Sequence, residues 1–418
     1  MSRTMEANMV KEKEFFIKLI NASLYNKKIL DNIDLDWNDL KEEARQHNCM
    51  AIIFPAIKQI QTDYNCIPKD IYEEWEEKVV EMAAAQCIKN YELNYILDCL
   101  RQSGIEGIIF KGAVIADTYP EYLLRVSGDA DVLIKAEDEK LALDILAKEG
   151  YLINYAESKE NETTLYKGNI LVIELHTSLW EDYKGDHIDK LNDMNITDEN
   201  LFVDFQGCDI QAKTLGITKH FTYIFYHMIK HFIPGGIGIR HLLDITLFYN
   251  KYENEIDLKE FYENMHILGY DMFCKAIFRL CIDLFDMKAS VLPDEYEIDE
   301  KLYNKLIDDI IDAGVFGNRT IERIKARNVI KQTYYEGDRV QPSKIKVLLN
   351  TLFPKAEAMS DNYVNARKYK FLLPVAWTQR AIHHFVCKIK YVDEPSLSQK
   401  TKSVEDRMKL LKELDLMK

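Results

Sequence analysis

The stretch FKGAVIADTYPEYLLRVSGDADVLI, Phe110 to Ile134, sets two acids, Asp129 and Asp131, one residue apart at the entrance of an apolar run. A strand start needs only hydrophobes, so the acids call for a reason. Side chains alternate faces along a strand, which puts both carboxylates on one side, about 6 to 7 Å apart. Ala130 and Val132 take the other side, and Gly128 before the pair places the acids at an entrance facing open space. Two carboxylates converging there can share metal ions; a solvated strand cap is the competing explanation for any isolated Asp-x-Asp.

A third carboxylate separates these explanations, because a two-metal site is normally completed by an acid that also handles the attacking hydroxyl. In NILVIELHTSLW, alternation places Ile170, Val172, Glu174 and His176 on one face and Leu171, Ile173 and Leu175 on the other. Glu174 is a charge within a run that otherwise reads as buried strand, so it requires a cation beside it, either a metal or a basic side chain.

Upstream, GIIFKGAVIADTYP reads as a strand, a Lys-Gly turn and a short helix ending near Pro120. Gly112 allows close approach of the backbone to a ligand, and the amides that follow suit phosphate oxygens. Lys111 and Arg125 bring positive charge either to a triphosphate or to the carboxylates.

Outward from this core the texture changes. From Lys11 to Ser103 the pattern is helical, with Asp36 as N-cap and Asp39 in the first turn of one helix, and a long amphipathic helix carrying Ile71, Trp75, Val79, Met82, Leu93, Ile96, Leu97 and Leu100. Between about 104 and 210, short apolar runs (GIIF, DVLI, YLINY, TTLYK, NILVIELH) alternate with the helix DEKLALDILAKEG. From KTLGITKH onward the chain reads as helical again, through FYENMHILGYDMFCKAIFRLCIDLF and KLYNKLIDDIIDAG to a last helix capped by Ser403. The expected organisation is a helical region 1–103, an α/β core 104–212 and a helical region 213–418, a predominantly helical α+β protein.

In the later block, His220, His227 and His231 fall at spacings of seven and four on one helix face, and read as packed or hydrogen-bonded histidines, since no HExxH pattern accompanies them. Gly235, Gly236 and Gly238 make either a phosphate nest or a tight interhelical loop. Arg240 and Asp244, four apart, can pair with each other.

Composition bounds the rest. At 418 residues, with 47% hydrophobic content, the chain supports roughly two to three packed domains. A formal charge of -15 argues against nucleic-acid or anionic-membrane partners and leans toward cationic small molecules. Eight cysteines without a CxxC pair read as buried thiols of a reducing compartment. With no apolar signal core at the N-terminus and no run of ~20 apolar residues, a soluble cytoplasmic protein is expected. Oligomeric state is not written in the chain.

The ordered set Phe110-Lys111-Gly112, Arg125, Asp129-Ala130-Asp131 and Glu174-Leu175-His176 resembles the DNA polymerase β-like nucleotidyltransferase superfamily, and within it a bacterial family of uncharacterised nucleotidyltransferases. GGIGIRHLLDI, Gly235 to Ile245, resembles that family's second block, and LFPKAEAM with FLLPVAW its helical tail. The resemblance spans about residues 11 to 390 and implies a central polymerase β-like mixed sheet flanked by helical regions. It implies that Asp129, Asp131 and Glu174 are catalytic and bind two Mg²⁺ or Mn²⁺ ions, and that Lys111, Gly112, Arg125, His176, His231 and Arg240 line the nucleotide site. The implied reaction moves an NMP from an NTP, ATP first among them, to a hydroxyl acceptor on a small molecule or protein, with release of pyrophosphate. One departure is Ala113, where superfamily members commonly carry serine after the glycine, and it leaves a catalytically degenerate binding scaffold as the alternative.

Overall fold

The computed structural model describes residues 3–29, 35–155, 157–158, 161–168, 171–180, 186–205, 211–293, 296–315 and 397–417, the run 369–379, and single positions between 323 and 366. Four helices open the chain: α1 (Arg3–Tyr25), α2 (Trp37–Gln46), α3 (Phe54–Tyr64) and α4 (Lys69–Gln102). Asp36 caps α2 as expected, its Oδ1 accepting from the Asn38 and Asp39 amides at 2.9 and 3.2 Å.

The α/β portion follows as β1 (Ile108–Phe110), α5 (Gly112–Ala116), β2 (Asp129–Leu133), α6 (Glu139–Lys148), β3 (Leu152–Ile153), β4 (Glu162–Lys167), β5 (Leu171–His176), α7 (Asp186–Asp193), β6 (Asn200–Asp204) and β7 (Gln211–Leu215). Together the strands form one seven-stranded mixed sheet in the order β3-β4-β5-β2-β1-β7-β6. The pairs β2–β5 and β1–β7 are parallel, and the other neighbours are antiparallel. Sheet structure therefore runs to Leu215, past the expected boundary at 212. Residues 213–215, read from sequence as the start of a helical tract, pair as β7 with β6 and β1, because Thr214 and Leu215 bury against the sheet.

Alternation decides what lies on each face. Ile109, Ala130, Val132, Ile173 and Leu175 point into a core shared with Leu93, Ile96, Leu97 and Leu100 of α4 and Ala142 and Leu146 of α6. The opposite face carries the acids. In the parallel pairing of β2 with β5, Asp131 registers with Glu174 and Leu133 with His176. β1 adds Phe110 opposite Asp131.

After the sheet come α8 (Ile217–Gly235), α9 (Ile239–Tyr252), α10 (Leu258–Leu268), α11 (Asp271–Phe285) and α12 (Glu300–Ala313), and a last helix over Leu397–Glu413. Gly236, at φ 101°, takes the turn between α8 and α9, so the glycines there make the interhelical loop. The last helix already runs at Leu397, so Ser403 lies inside it and is not its cap. The segment LFPKAEAM lies mostly outside the described residues. Contacts divide the chain into two compact units, one of residues 1–227, 238–268 and 274–297, the other of 228–237, 269–273 and 298–418. Within the second, Asp309 accepts from Arg323 Nη2 at 2.5 Å and from Arg407, whose guanidinium lies 4.2 Å from the Phe232 ring centre.

Cys49, Cys274 and Cys281 are buried as expected, but Cys66 and Cys87 are exposed, because each falls on a solvent-facing position of a loop or of α4. No helix among the described residues is long and apolar enough to cross a membrane.

Candidate active site

Asp131, Glu174 and His176 come together where β2 and β5 run side by side, and one ligand atom from each lies within 4.8 Å of the others. Asp131 Oδ1 accepts from His176 Nε2 at 3.0 Å and from Lys111 Nζ at 2.6 Å. His176 Nε2 lies 3.6 Å from Glu174 Oε2, and its Nδ1 4.0 Å from Glu162 Oε2. Phe110 packs edge-on against the imidazole, ring centres 5.1 Å apart.

Charges here are set by burial against pairing. Burial opposes the Asp131 charge, yet Lys111 and His176 beside it hold its carboxyl well below the usual carboxylate range. Lys111, although buried, is held well above the ordinary lysine value by Asp131 and Glu174. Burial works against His176 as a cation, but its hydrogen bonds to Asp131 and Glu174 raise it. Asp129 behaves oppositely: burial, then Asp131 and Glu174, push its carboxyl up. Asp129 thus carries its charge at a cost, which Lys111 and Lys89 reduce without removing.

The Lys111 backbone explains how its ammonium reaches Asp131. With φ 57° and ψ -120° it sits where residues other than glycine are rare. Its amide donates to His220 Nε2 at 3.3 Å and its carbonyl accepts from the Ile115 amide at 2.9 Å, so the conformation is held from both ends. Burial lowers His220 to about 3, keeping it neutral so that Nε2 accepts. His220 is thus a packed, hydrogen-bonded histidine, anchoring the Lys-Gly turn. Gly112 is needed for close approach: a Cβ there would stand 3.2 Å from both Arg125 Nη1 and Ser127 Oγ.

Arg125 is buried and committed. Its Nε and Nη2 donate to the two oxygens of Asp244 at 3.1 and 2.8 Å, and Nη1 to the Gly112 carbonyl at 3.3 Å. Tyr119 Oη also donates to Asp244 Oδ1, at 2.8 Å. The pairing of Arg240 with Asp244 read from their spacing is therefore replaced: a guanidinium meeting a carboxylate with two parallel bonds is the stronger match, and Arg125 supplies it. Arg240 Nη1 donates instead to the Val126 carbonyl at 2.8 Å. His231 is half-buried on α8 and belongs to the second compact unit.

Two participants were not picked out from sequence. Lys89 of α4 is buried, and its ammonium donates to the Ser127 carbonyl at 2.6 Å and to the Ser127 hydroxyl. Burial lowers it to about 7. Gln86 Oε1 accepts from the Ser127 amide at 3.1 Å, and Ser127 Oγ donates to the Asp129 carbonyl at 3.2 Å. The signal was available: Gln86 and Lys89 fall at the three- and four-residue steps that link Val79 and Met82 to Leu93, polar residues in an apolar stripe.

These residues form a strand-borne acidic cluster, with a lysine and a histidine at its edge and a turn pinned from behind. The family model of uncharacterised nucleotidyltransferases matches residues 34–286, well over half of the chain and the whole of this cluster, and the chain belongs to that family. A solved structure of antibiotic-resistance factor ANT(2'')-Ia is similar at 12% identity, over 44% of this chain and 89% of that one, with a TM-score of 0.31. No curated protein matches the chain.

The donor set fits a divalent cation. Asp131 and Glu174 offer hard oxygen ligands of the kind Mg²⁺ and Mn²⁺ prefer, and one oxygen of each lies within reach of a common point. His176 Nε2, now hydrogen-bonded to Asp131, could ligate only after losing its proton.

Proposed function

We propose that this protein is a metal-dependent nucleotidyltransferase, moving an NMP from an NTP, ATP first among them, to a hydroxyl of a small molecule or protein with release of pyrophosphate. The observation that carries this is the register of Asp131 with Glu174 on parallel strands, beside His176, on the sheet face opposite the core. Asp129, Asp131 and Glu174 are the residues that would hold two Mg²⁺ or Mn²⁺ ions. Bound there, the ions supply positive charge to phosphate oxygens and lower the pKa of the attacking hydroxyl.

The chain's own groups divide the remaining tasks. Glu174, less buried than Asp131, receives the acceptor's proton as its oxygen bonds to the α-phosphorus and the bridging oxygen departs with the β- and γ-phosphates. Lys111 balances the Asp131 charge, and its ammonium is the group that would meet a phosphate oxygen were a metal ion held by the carboxylates. His176 orients the carboxylates. Arg125 and Arg240 act from behind, fixing the Gly112 and Val126 carbonyls at the two ends of the phosphate-side turn.

A second reading draws on the same ion pair. With Lys111 already neutralising Asp131, and Ala113 in place of a hydroxyl, a degenerate core acting as a scaffold is self-consistent. Incubation with each α-labelled NTP, Mg²⁺ or Mn²⁺ and a cell extract separates the two. The transferase moves label to protein or small molecules and releases pyrophosphate, and Asp131→Asn abolishes both. No label transfer under any condition, with NTP binding indifferent to metal, supports the scaffold.

A further inference from the structure

The two acids of β2 are not held in the same way. Asp131 pairs with Phe110 of β1 on one side and with Glu174 of β5 on the other. Asp129 pairs with Val172 of β5, but the β1 ladder has already ended at Phe110, where the chain turns away through Lys111 into α5. Among the described residues no strand runs along its other side. A strand end with one neighbour frays unless its backbone finds other partners.

Those partners come from α4. Gln86, Lys89 and Asn90 are buried on the helix face that also carries Leu93, Ile96 and Leu97. Gln86 Oε1 accepts from the Ser127 amide at 3.1 Å, and Lys89 Nζ donates to the Ser127 carbonyl at 2.6 Å and to the Ser127 hydroxyl. Both main-chain polar groups of Ser127 are thus bonded to side chains of one helix. Gln86 Nε2 donates to Asn90 Oδ1 at 2.9 Å, which turns its oxygen toward Ser127. Ser127 Oγ then donates to the Asp129 carbonyl at 3.2 Å, carrying the hold from the helix to the acid.

Packing alone would not choose these residues. A buried amide or ammonium is less favourable than an apolar side chain unless its bonds are made, and the bonds of Lys89 go to uncharged oxygens. Leucine or methionine would fill the α4 stripe at either position. Neither would hold Ser127.

We propose that Gln86 and Lys89 are positioning residues of the active site, which act through Ser127 to keep Asp129 in place beside Asp131 as a metal ligand. This role presupposes the transferase reading and adds to it the element that keeps the metal site in shape.

The test is Mn²⁺ binding to the full chain, followed by loss of the free-ion EPR signal, beside label-transfer kinetics and urea unfolding in EDTA. Gln86→Met is expected to weaken Mn²⁺ binding and to lower kcat, each about tenfold, the scale of losing a group that supports a metal ligand, with the NTP KM little changed. Gln86→Glu, of the same shape, keeps the oxygen that accepts from the Ser127 amide and restores most of both. Ser127→Ala, at a half-buried position that leaves folding intact, weakens Mn²⁺ binding about fivefold, the scale of one lost hydrogen bond. With Asp129→Asn already in place, Gln86→Met weakens it no further. Wild-type Mn²⁺ binding in both Gln86→Met and Ser127→Ala, whatever their stability in urea, overturns the proposal. So does an equal loss from Gln86→Met with and without Asp129. A wild type that binds no Mn²⁺ removes the proposal and the transferase reading together. Mn²⁺ binding that follows Gln86 and Asp129 in a protein that transfers no label upholds the positioning role and removes the transferase reading alone.

Discussion

Lys111 Nζ lies 2.6 Å from Asp131 Oδ1, and that oxygen also accepts from His176 Nε2 at 3.0 Å. One carboxylate thus meets two basic groups in a buried setting. Because the Asp131 pKa is depressed on folding, its contribution to stability is full above the unfolded carboxylate value of about 3.9 and is lost as pH falls through its lower folded value. Lys111→Met leaves that carboxylate with less compensation, at a cost of about 3–5 kcal/mol. Thermal melts between pH 2 and pH 7 should show the variant losing stability at higher pH than the wild type; coincident acid limbs would contradict the pairing.

Asp129 carries the opposite sign. Its carboxyl is raised by burial and by its acidic neighbours, so its charge destabilises the metal-free protein at neutral pH, and the penalty is relieved as pH falls through the raised value. Asp129→Asn should therefore stabilise the metal-free protein by on the order of 1 kcal/mol at pH 7, while reducing label transfer by about 10²-fold or more. Urea unfolding with EDTA measures the first effect and the transfer assay the second. A destabilised variant would show that Asp129 is already satisfied.

Lys89, lowered to about 7 by burial, gives a signature on the basic side. The unfolded chain holds that proton up to about pH 10.4, so stability rises with pH between about 7 and 10. Lys89→Met should flatten this rise. The same change frees the Ser127 carbonyl and hydroxyl from their shared donor, loosening the turn that leads into Asp129. Lower kcat with little change in the NTP KM is the expected kinetic consequence, and an unchanged kcat would reduce Lys89 to a packing role.

Arg125 and Asp244 form a buried two-bond pair, shared with Tyr119 and the Gly112 carbonyl. Asp244→Ala should destabilise by about 3–5 kcal/mol, since it leaves a buried guanidinium without its partner. Combining it with Arg125→Met should recover much of that loss in chemical denaturation. If the double variant is as unstable as the sum of the singles, the two residues do not act as a pair.

What the sequence made legible is what alternation encodes. Asp129, Asp131, Glu174 and His176 could be assigned to one sheet face because each strand has a period of two, and the long stripe of α4 could be read from its own spacing. Partnerships between distant segments could not be read this way. Nothing local says that Asp244 turns to Arg125 rather than to Arg240 on its own helix, or that His220 accepts from the Lys111 amide across 109 positions. β7 was missed because a short strand carrying lysine and threonine has little pattern of its own and is defined by β1 and β6 beside it. The exposed Cys66 and Cys87 show the limit of composition, which says that thiols favour interiors without saying which ones.

The parallel register of β2 with β5 has a consequence for how this family can vary. A slip of one residue in either strand would swing Ala130, Val132, Ile173 or Leu175 into the open face and drive an acid into the apolar core. Single-residue insertions or deletions within these strands are therefore excluded by foldability before catalysis is tested. Length changes belong to the stretch between Gly112 and Asp129, which lies outside both strands, so that the acids stay in place.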